Sequence, residues 1–354
     1  MRIHIYKEKT ITVLLLAAAM SVILTGCGED AESNLSQGMA ALSEGNYDAA
    51  KTFFYAAEDN GEGEKQAERA IGMTYLAEGD YENAIKSFEN ALSLSNGIIE
   101  DMDIDISYYL AVAKYRSGDE GGAIETYDSI IDIRPDEDNA YYLRGKAYLS
   151  SGDKEKALAD YEQAVTLSPD DYDHYVRICE DLREAGYESE GDSYIRRAME
   201  DNSKLSDYQL GIFNYYLGNY SDARNYLENA RDDKNSGADL IMYLGKTYEA
   251  LGDPGYAISL YESAIAEGNA DGGIYVSMGL CKMQQGDYEG AIDTFETGIA
   301  GGYAAYMQSL LYNRIVAYEY LRDFSTAKSL MAEYVQKYPG DEKAARENIF
   351  LSTR

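Results

Sequence analysis

Along the 354-residue chain one turn signal returns: Gly45-Asn46-Tyr47, Gly79-Asp80-Tyr81, Gly118-Asp119, Gly152-Asp153, Gly186-Tyr187, Gly218-Asn219-Tyr220, Gly252-Asp253 and Gly286-Asp287-Tyr288. Its steps are 34, 39, 34, 34, 32, 34 and 34 residues, and Arg322-Asp323-Phe324 repeats it once more. A fixed period of this length constrains the fold more than any other feature, because a unit so short cannot bury its own apolar face and must stack on copies of itself. The usual division of chain length into independent domains therefore does not apply.

The residues around the turn give each unit its shape. Five residues beyond each turn stands a small residue (Ala50, Ala84, Ala123, Ala157, Gly191, Ala223, Ala257, Ala291, Ala327), and four further on a large apolar one (Phe54, Phe88, Tyr127, Tyr161, Ile195, Leu227, Tyr261, Phe295, Met331). That spacing is one turn along a single helical face. Seven residues before the turn is another small residue: Gly38, Gly72, Ala111, Gly145, Cys179, Gly211, Gly245 or Gly279. Glycine inside a helix costs about 0.5 to 1 kcal/mol relative to alanine, so its recurrence predicts close helix contact. Each unit is thus one helix before the turn and one after it.

These residues resemble the tetratricopeptide repeat, with Tyr141, Tyr175 and Tyr275 where that family begins its motif with tryptophan, which this chain lacks altogether. The resemblance implies an all-α fold: a right-handed α-solenoid of about nine helix pairs over 34–339, closed by a capping helix within 340–354. Pro135, Pro169 and Pro339 are placed to end second helices, and Pro254 to open one. After Asp341, a polar face on Glu342 to Leu351 is expected to cover the end of the stack. The 39-residue step leaves an acidic insertion near 96–105, the expected site of a kink.

The first residues form an address. Arg2, Lys7 and Lys9 precede an apolar stretch, Ile11 to Leu24, that is shorter than a bilayer span and suits a secretory leader. Leu24-Thr25-Gly26-Cys27 resembles the lipobox of bacterial lipoproteins. That likeness implies a signal peptide over 1–26, lipidation of Cys27 with palmitate-type chains, and a tether over 27–33. It implies a lipid-anchored protein on the extracytoplasmic face of a bacterial membrane. Loss of residues 1–26 removes a charge of +2 from a chain of net charge −32, leaving −34. Six extended residues, Gly28 to Ser33, reach about 20 Å, so the body is expected close to the bilayer.

Composition excludes several functions. Hydrophobic residues at 45% and charged residues at 27% rule out wholesale disorder, and 31 Lys and Arg against 63 Asp and Glu repel nucleic acid and anionic lipid. Partners are expected to be protein or peptide segments, apolar, aromatic or basic, in the cell envelope. Asp101, Asp103 and Asp105 alternate as in a calcium loop, but Ile106 stands where the turn glycine is needed, so a solvated linker with a helix cap is expected. Asp170, Asp171, Asp173 and His174 are expected to serve a helix start, Cys179 and Cys281 to be buried thiols, and Gly272-Gly273 to lie between repeats without forming a phosphate loop. With a single histidine beyond the leader, no catalytic, cofactor or metal set is expected.

The family resemblance places the first helices along a concave groove. The residues it puts there are Tyr108, Val112, Tyr115, Tyr142, Lys146, Leu149, Tyr208, Ile212, Tyr215, Met242, Lys246, Val276, Leu280, Met283, Tyr312 and Val316. Lys146 and Lys246 have no matching asparagines, which departs from the carboxylate clamp of chaperone-binding repeats. The expectation is a membrane-anchored scaffold that binds protein segments, not an enzyme. A dedicated subunit of an envelope assembly or secretion complex is the alternative, ahead of a solute-binding lipoprotein or hydrolase.

Overall fold

The computed structural model describes residues 33–200, 204–231, 237–338 and 340–353; the leader, Cys27, most of the tether and Pro339 lie outside the described residues. Nineteen α-helices and no strand are found among them, and they fall into two compact units, one up to residue 187 and one from residue 188 onward.

The first unit contains α1 (Asn34–Ser43), α2 (Tyr47–Asp59), α3 (Glu64–Glu78), α4 (Tyr81–Ser93), α5 (Asp101–Arg116), α6 (Glu120–Ile133), α7 (Asp138–Ser150), α8 (Lys154–Leu167) and α9 (Tyr172–Glu184). The second contains α10 (Glu188–Ala198), α11 (Asp207–Tyr216), α12 (Tyr220–Arg231), α13 (Ala238–Ala250), α14 (Pro254–Ala266), α15 (Gly272–Gln284), α16 (Tyr288–Ala300), α17 (Met307–Tyr320), α18 (Phe324–Lys337) and α19 (Glu342–Ser352). Within each unit successive helices pack as antiparallel hairpins, and each hairpin packs on the next, the stacking of an α-solenoid.

A two-residue device makes most of the hairpins. At Asp80 the backbone N–H returns to Tyr75 O at 2.9 Å and closes α3, while the side chain accepts from Asn83 N at 3.2 Å and opens α4. The residue before it must adopt a left-handed backbone: Gly118 and Gly152 have φ of 87° and 88°. Arg322 holds that place in the last hairpin, at φ 62°, the one non-glycine with positive φ among the described residues. Asp323 nevertheless caps α18 as its counterparts do, accepting from Thr326 N at 3.1 Å.

Where the first helix carries a glycine at the small position, that glycine meets the large residue sixteen positions later in its own hairpin. A Cβ on Gly72 would stand 2.6 Å from the Phe88 ring, and one on Gly145 2.9 Å from that of Tyr161. Those rings are fully buried, so the contact is ring against backbone. In the last hairpin the sizes change over: Ile315 takes the small place, and the adaptable Met331 lies sixteen residues on.

Three expectations are corrected. The insertion near 96–105 supplies the expected helix cap, Asp103 accepting from Glu100 N at 2.9 Å, but it is not simply a solvated linker: Asp103 is buried, joined to Lys65 at 2.5 Å and to Ser95, while Asp105 pairs with Arg69 and Asp101 with Arg134. The carboxylates that resembled a calcium loop therefore tie α5 to α3 and to the α6–α7 loop. Gly272 and Gly273 begin α15 and are small because Tyr303 and Tyr306 lie on them. In α19, Ala344 and Leu351 are buried, but Ile349 and Phe350 are exposed, so its outer face is not uniformly polar. Pro135 and Pro169 follow α6 and α8, and Pro254 opens α14, as expected.

Candidate functional site: the first-helix faces

The residues assigned to a groove lie on first helices, and several of them are used within the fold. In the first unit, Tyr142 and Lys146 of α7 both reach Asp181 of α9: the hydroxyl donates to Oδ2 at 2.9 Å and the ammonium to Oδ1 at 2.6 Å. Tyr161 adds a third, longer bond at 3.4 Å. All four side chains are buried, so a charge taken out of water is met by charge-assisted bonds. Burial, and then the Asp181 carboxylate, push the Tyr142 hydroxyl well above its ordinary pKa, which keeps it a donor. Beside this pair, the Arg144 fork grips Asp160 at 2.8 and 2.7 Å and touches Asp128 at 2.6 Å.

Tyr108 is half-buried and donates to Glu137 at 3.3 Å; burial first and Glu137 second raise its pKa far above the usual range. Tyr115 and Leu149 are half-buried, and Val112 is buried. The expected surface in this unit is therefore narrower than its residue list: Tyr108, Tyr115 and Leu149 reach water, while Tyr142, Lys146 and Val112 serve cohesion.

The second unit builds the corresponding face from rings. Tyr215 lies against Tyr216, Tyr220 and Tyr243 with centroids 5.5, 5.8 and 5.8 Å apart, and the Tyr216 and Tyr243 hydroxyls are 3.0 Å from each other. Lys246 stands 5.6 Å above the Tyr243 ring. Tyr208, Met242, Lys246, Val276, Leu280 and Val316 are half-buried; Ile212, Met283 and Tyr312 are buried. Tyr312 packs edge-on to Tyr334, which is held by Asp341 before the last helix. Behind the rings, burial raises the pKa of Glu249, which accepts from Tyr261 at 2.9 Å. Burial, followed by Glu249, pushes the Cys281 thiol up to about 12, so it is a packed, unreactive group.

Asp181, Tyr243 and Glu249 were not assigned from sequence. A trace of the first was available, because Lys146 and Asp181 are opposite charges 35 residues apart, close to one repeat. His174 is buried, with Nδ1 2.7 Å from Asp171, which holds that carboxyl below its usual pKa; the carboxylate of Asp138 lies nearby. Asp171 also caps α9 through Asp173 N, in keeping with the expected helix-start role.

Four family models described as tetratricopeptide repeat match residues 75–147, 139–171, 208–272 and 309–341, together more than half of the chain. No curated protein matches. Among solved structures, a tetratricopeptide repeat protein from Parabacteroides merdae is similar at 18% identity, covering 80% of this chain and 98% of its own, with a TM-score of 0.43. MamA from Desulfovibrio magneticus shares 19% identity over 51% of this chain and 100% of its own, with a TM-score of 0.41. A thermophilic repeat protein from Thermus thermophilus shares 22% over 52% and 95%, with a TM-score of 0.38.

Proposed function

Since the chain belongs to the tetratricopeptide repeat proteins, we propose that it is a non-catalytic scaffold that holds protein segments on its first-helix faces while a lipid on Cys27 keeps it at the outer side of a bacterial membrane. The carrying observation is the half-buried ring surface of the second unit, Tyr208 and Tyr215 with Met242, Lys246 and Leu280. Tyrosine offers a broad apolar ring and a polar tip at low entropic cost, which suits a wet interface. The chain's charge of −32 favours segments that are apolar or aromatic with basic residues among them.

Two experiments test this reading. Tyr115→Ala with Tyr215→Ala should reduce capture of envelope proteins and of basic aromatic peptides; unchanged capture by the double variant would exclude the faces. Labelled palmitate should enter the chain and be absent from Cys27→Ala, and persistent label in that variant would exclude the anchor. A purified chain that returns with a single stoichiometric complex would instead favour the dedicated-subunit reading.

A further inference from the structure

Every first helix of the first unit starts, and every second helix ends, on one edge of the stack; the glycine turns form the other. The described chain begins on the first of these edges, where Asn34 N donates to Glu62 in the α2–α3 loop at 2.8 Å. Exposed apolar side chains gather on that same edge. Among the described residues up to 187, the large hydrophobics left exposed are Tyr55, Leu94, Ile98, Ile99 and Ile133. All but Tyr55 lie at second-helix ends or in the loop that follows. Ile98 and Ile99, 68% and 56% exposed, stand at the tip of the longest such loop, and no comparable side chain is exposed on the glycine-turn edge of this unit.

Charge also shapes this edge. Asp101, Asp103 and Asp105, beside Ile98 and Ile99 in sequence, are each ion-paired, to Arg134, Lys65 and Arg69. Glu100, Asp132 and Asp136 remain around them, which disfavours an anionic surface. Isoleucines exposed beside acids of which only half are ion-paired suit an apolar surface that carries no negative charge of its own. The same edge is the one from which the tether, six residues long, would run back to a lipidated Cys27.

We propose that this edge, with Ile98 and Ile99 at its tip and Leu94 and Ile133 behind, rests on a neutral lipid surface, so that the first unit stands on the membrane edge-on with its glycine turns pointing away. The docking rests on the anchor reading for its strength. Two isoleucines dipping into the headgroup layer give weak partition on their own, and a short tether makes it local and persistent.

The absence of tryptophan supplies a clean test. Full chain carrying Ile99→Trp, or Ser151→Trp on the glycine-turn edge, is attached to phosphatidylcholine vesicles by its own lipid. If palmitate labelling shows that Cys27 carries none, its thiol is coupled instead to a maleimide lipid, so failure of the anchor leaves the docking measurable. The indole at 99 should shift to the blue and lose most of its emission to bromine-labelled acyl chains, while the indole at 151 keeps its aqueous spectrum. Replacing part of the phosphatidylcholine with an anionic lipid should weaken the quenching, and Ile98→Ser in the Ile99→Trp chain should reduce it further. The proposal is overturned if both indoles behave alike, if quenching rises with anionic lipid, or if the blue shift at 99 appears without lipid and grows with protein concentration, which would mark a second copy as the occupant.

Discussion

The two units share a period, a turn and a small-to-large contact, yet they join neighbouring first helices with different chemistry. Residues 142–181 do it with a buried cation and carboxylate, Lys146 and Asp181, supported by two tyrosine hydroxyls. Residues 215–249 do it with four tyrosine rings and one hydroxyl pair. The motif fixes what happens within a hairpin and leaves the join between hairpins open to any chemistry that fills the space. An ion join is intolerant of losing one partner; a ring join is graded and leaves more of its surface wet.

That difference can be broken most forcefully at Asp181. Asp181→Ala strands the Lys146 ammonium and two hydroxyls in a buried place, and should cost about 3 to 5 kcal/mol in urea unfolding. Adding Lys146→Met should recover most of the loss, because an apolar side chain of similar length no longer needs the carboxylate. No recovery in the double variant would mean that Asp181 acts mainly through Tyr142 and Tyr161.

The ring join should respond less. Tyr243→Leu keeps apolar bulk but removes two ring pairs and the 3.0 Å hydroxyl contact with Tyr216, for about 1 to 3 kcal/mol. A cost equal to that of Asp181→Ala would erase the contrast between the units. A negligible cost would show that packing, and not ring geometry, holds this face.

At the end of the second unit acids face each other, and the expected effect is smaller because Glu319 keeps part of its contact with water. Burial first, then Glu347, push the pKa of Glu319 up to about 7. A carboxyl whose folded pKa lies above its unfolded value stabilises the fold below the unfolded value, near 4.5, and that contribution fades as pH rises through about 7. Taken relative to intrinsic exchange, which itself quickens with pH, the protection of the α17 amides should therefore fall between pH 5 and pH 8. Glu319→Gln should flatten the change; an unaltered profile would assign the titration elsewhere.

These contrasts also show what a sequence can carry. Helices, turns and caps were legible because each depends on neighbours within a few positions: Gly79 and Asp80 specify the end of one helix and the start of the next by themselves. The hairpin contact was legible too, since Gly72 and Phe88 stand at a fixed separation that the period repeats. The join between hairpins was not. Lys146 could be placed on a first helix, but whether it faced water or Asp181 depended on how two helices lay against each other, and no local rule states that. Asp101, Asp103 and Asp105 read as a solvated linker for the same reason, because their partners, Arg134, Lys65 and Arg69, lay about one repeat away.

The last hairpin tests how strictly the turn itself is required. Arg322 occupies a left-handed backbone position that glycine fills in eight earlier turns, and its Cβ makes that conformation unfavourable. Arg322→Gly removes the strain but gives the unfolded chain more freedom, so the gain is a difference of two terms. With the strain at about 1 to 2 kcal/mol and the added freedom at up to about 1, the difference lies between about 0 and 2, and the variant should be more stable by about 1 kcal/mol. Thermal unfolding decides the sign. A stabilised variant means the turn of the last hairpin is held against its own preference by Asp323 and the packing of α17 on α18; a destabilised one means that the arginine side chain itself stabilises the end of the stack and offsets the strain its backbone carries.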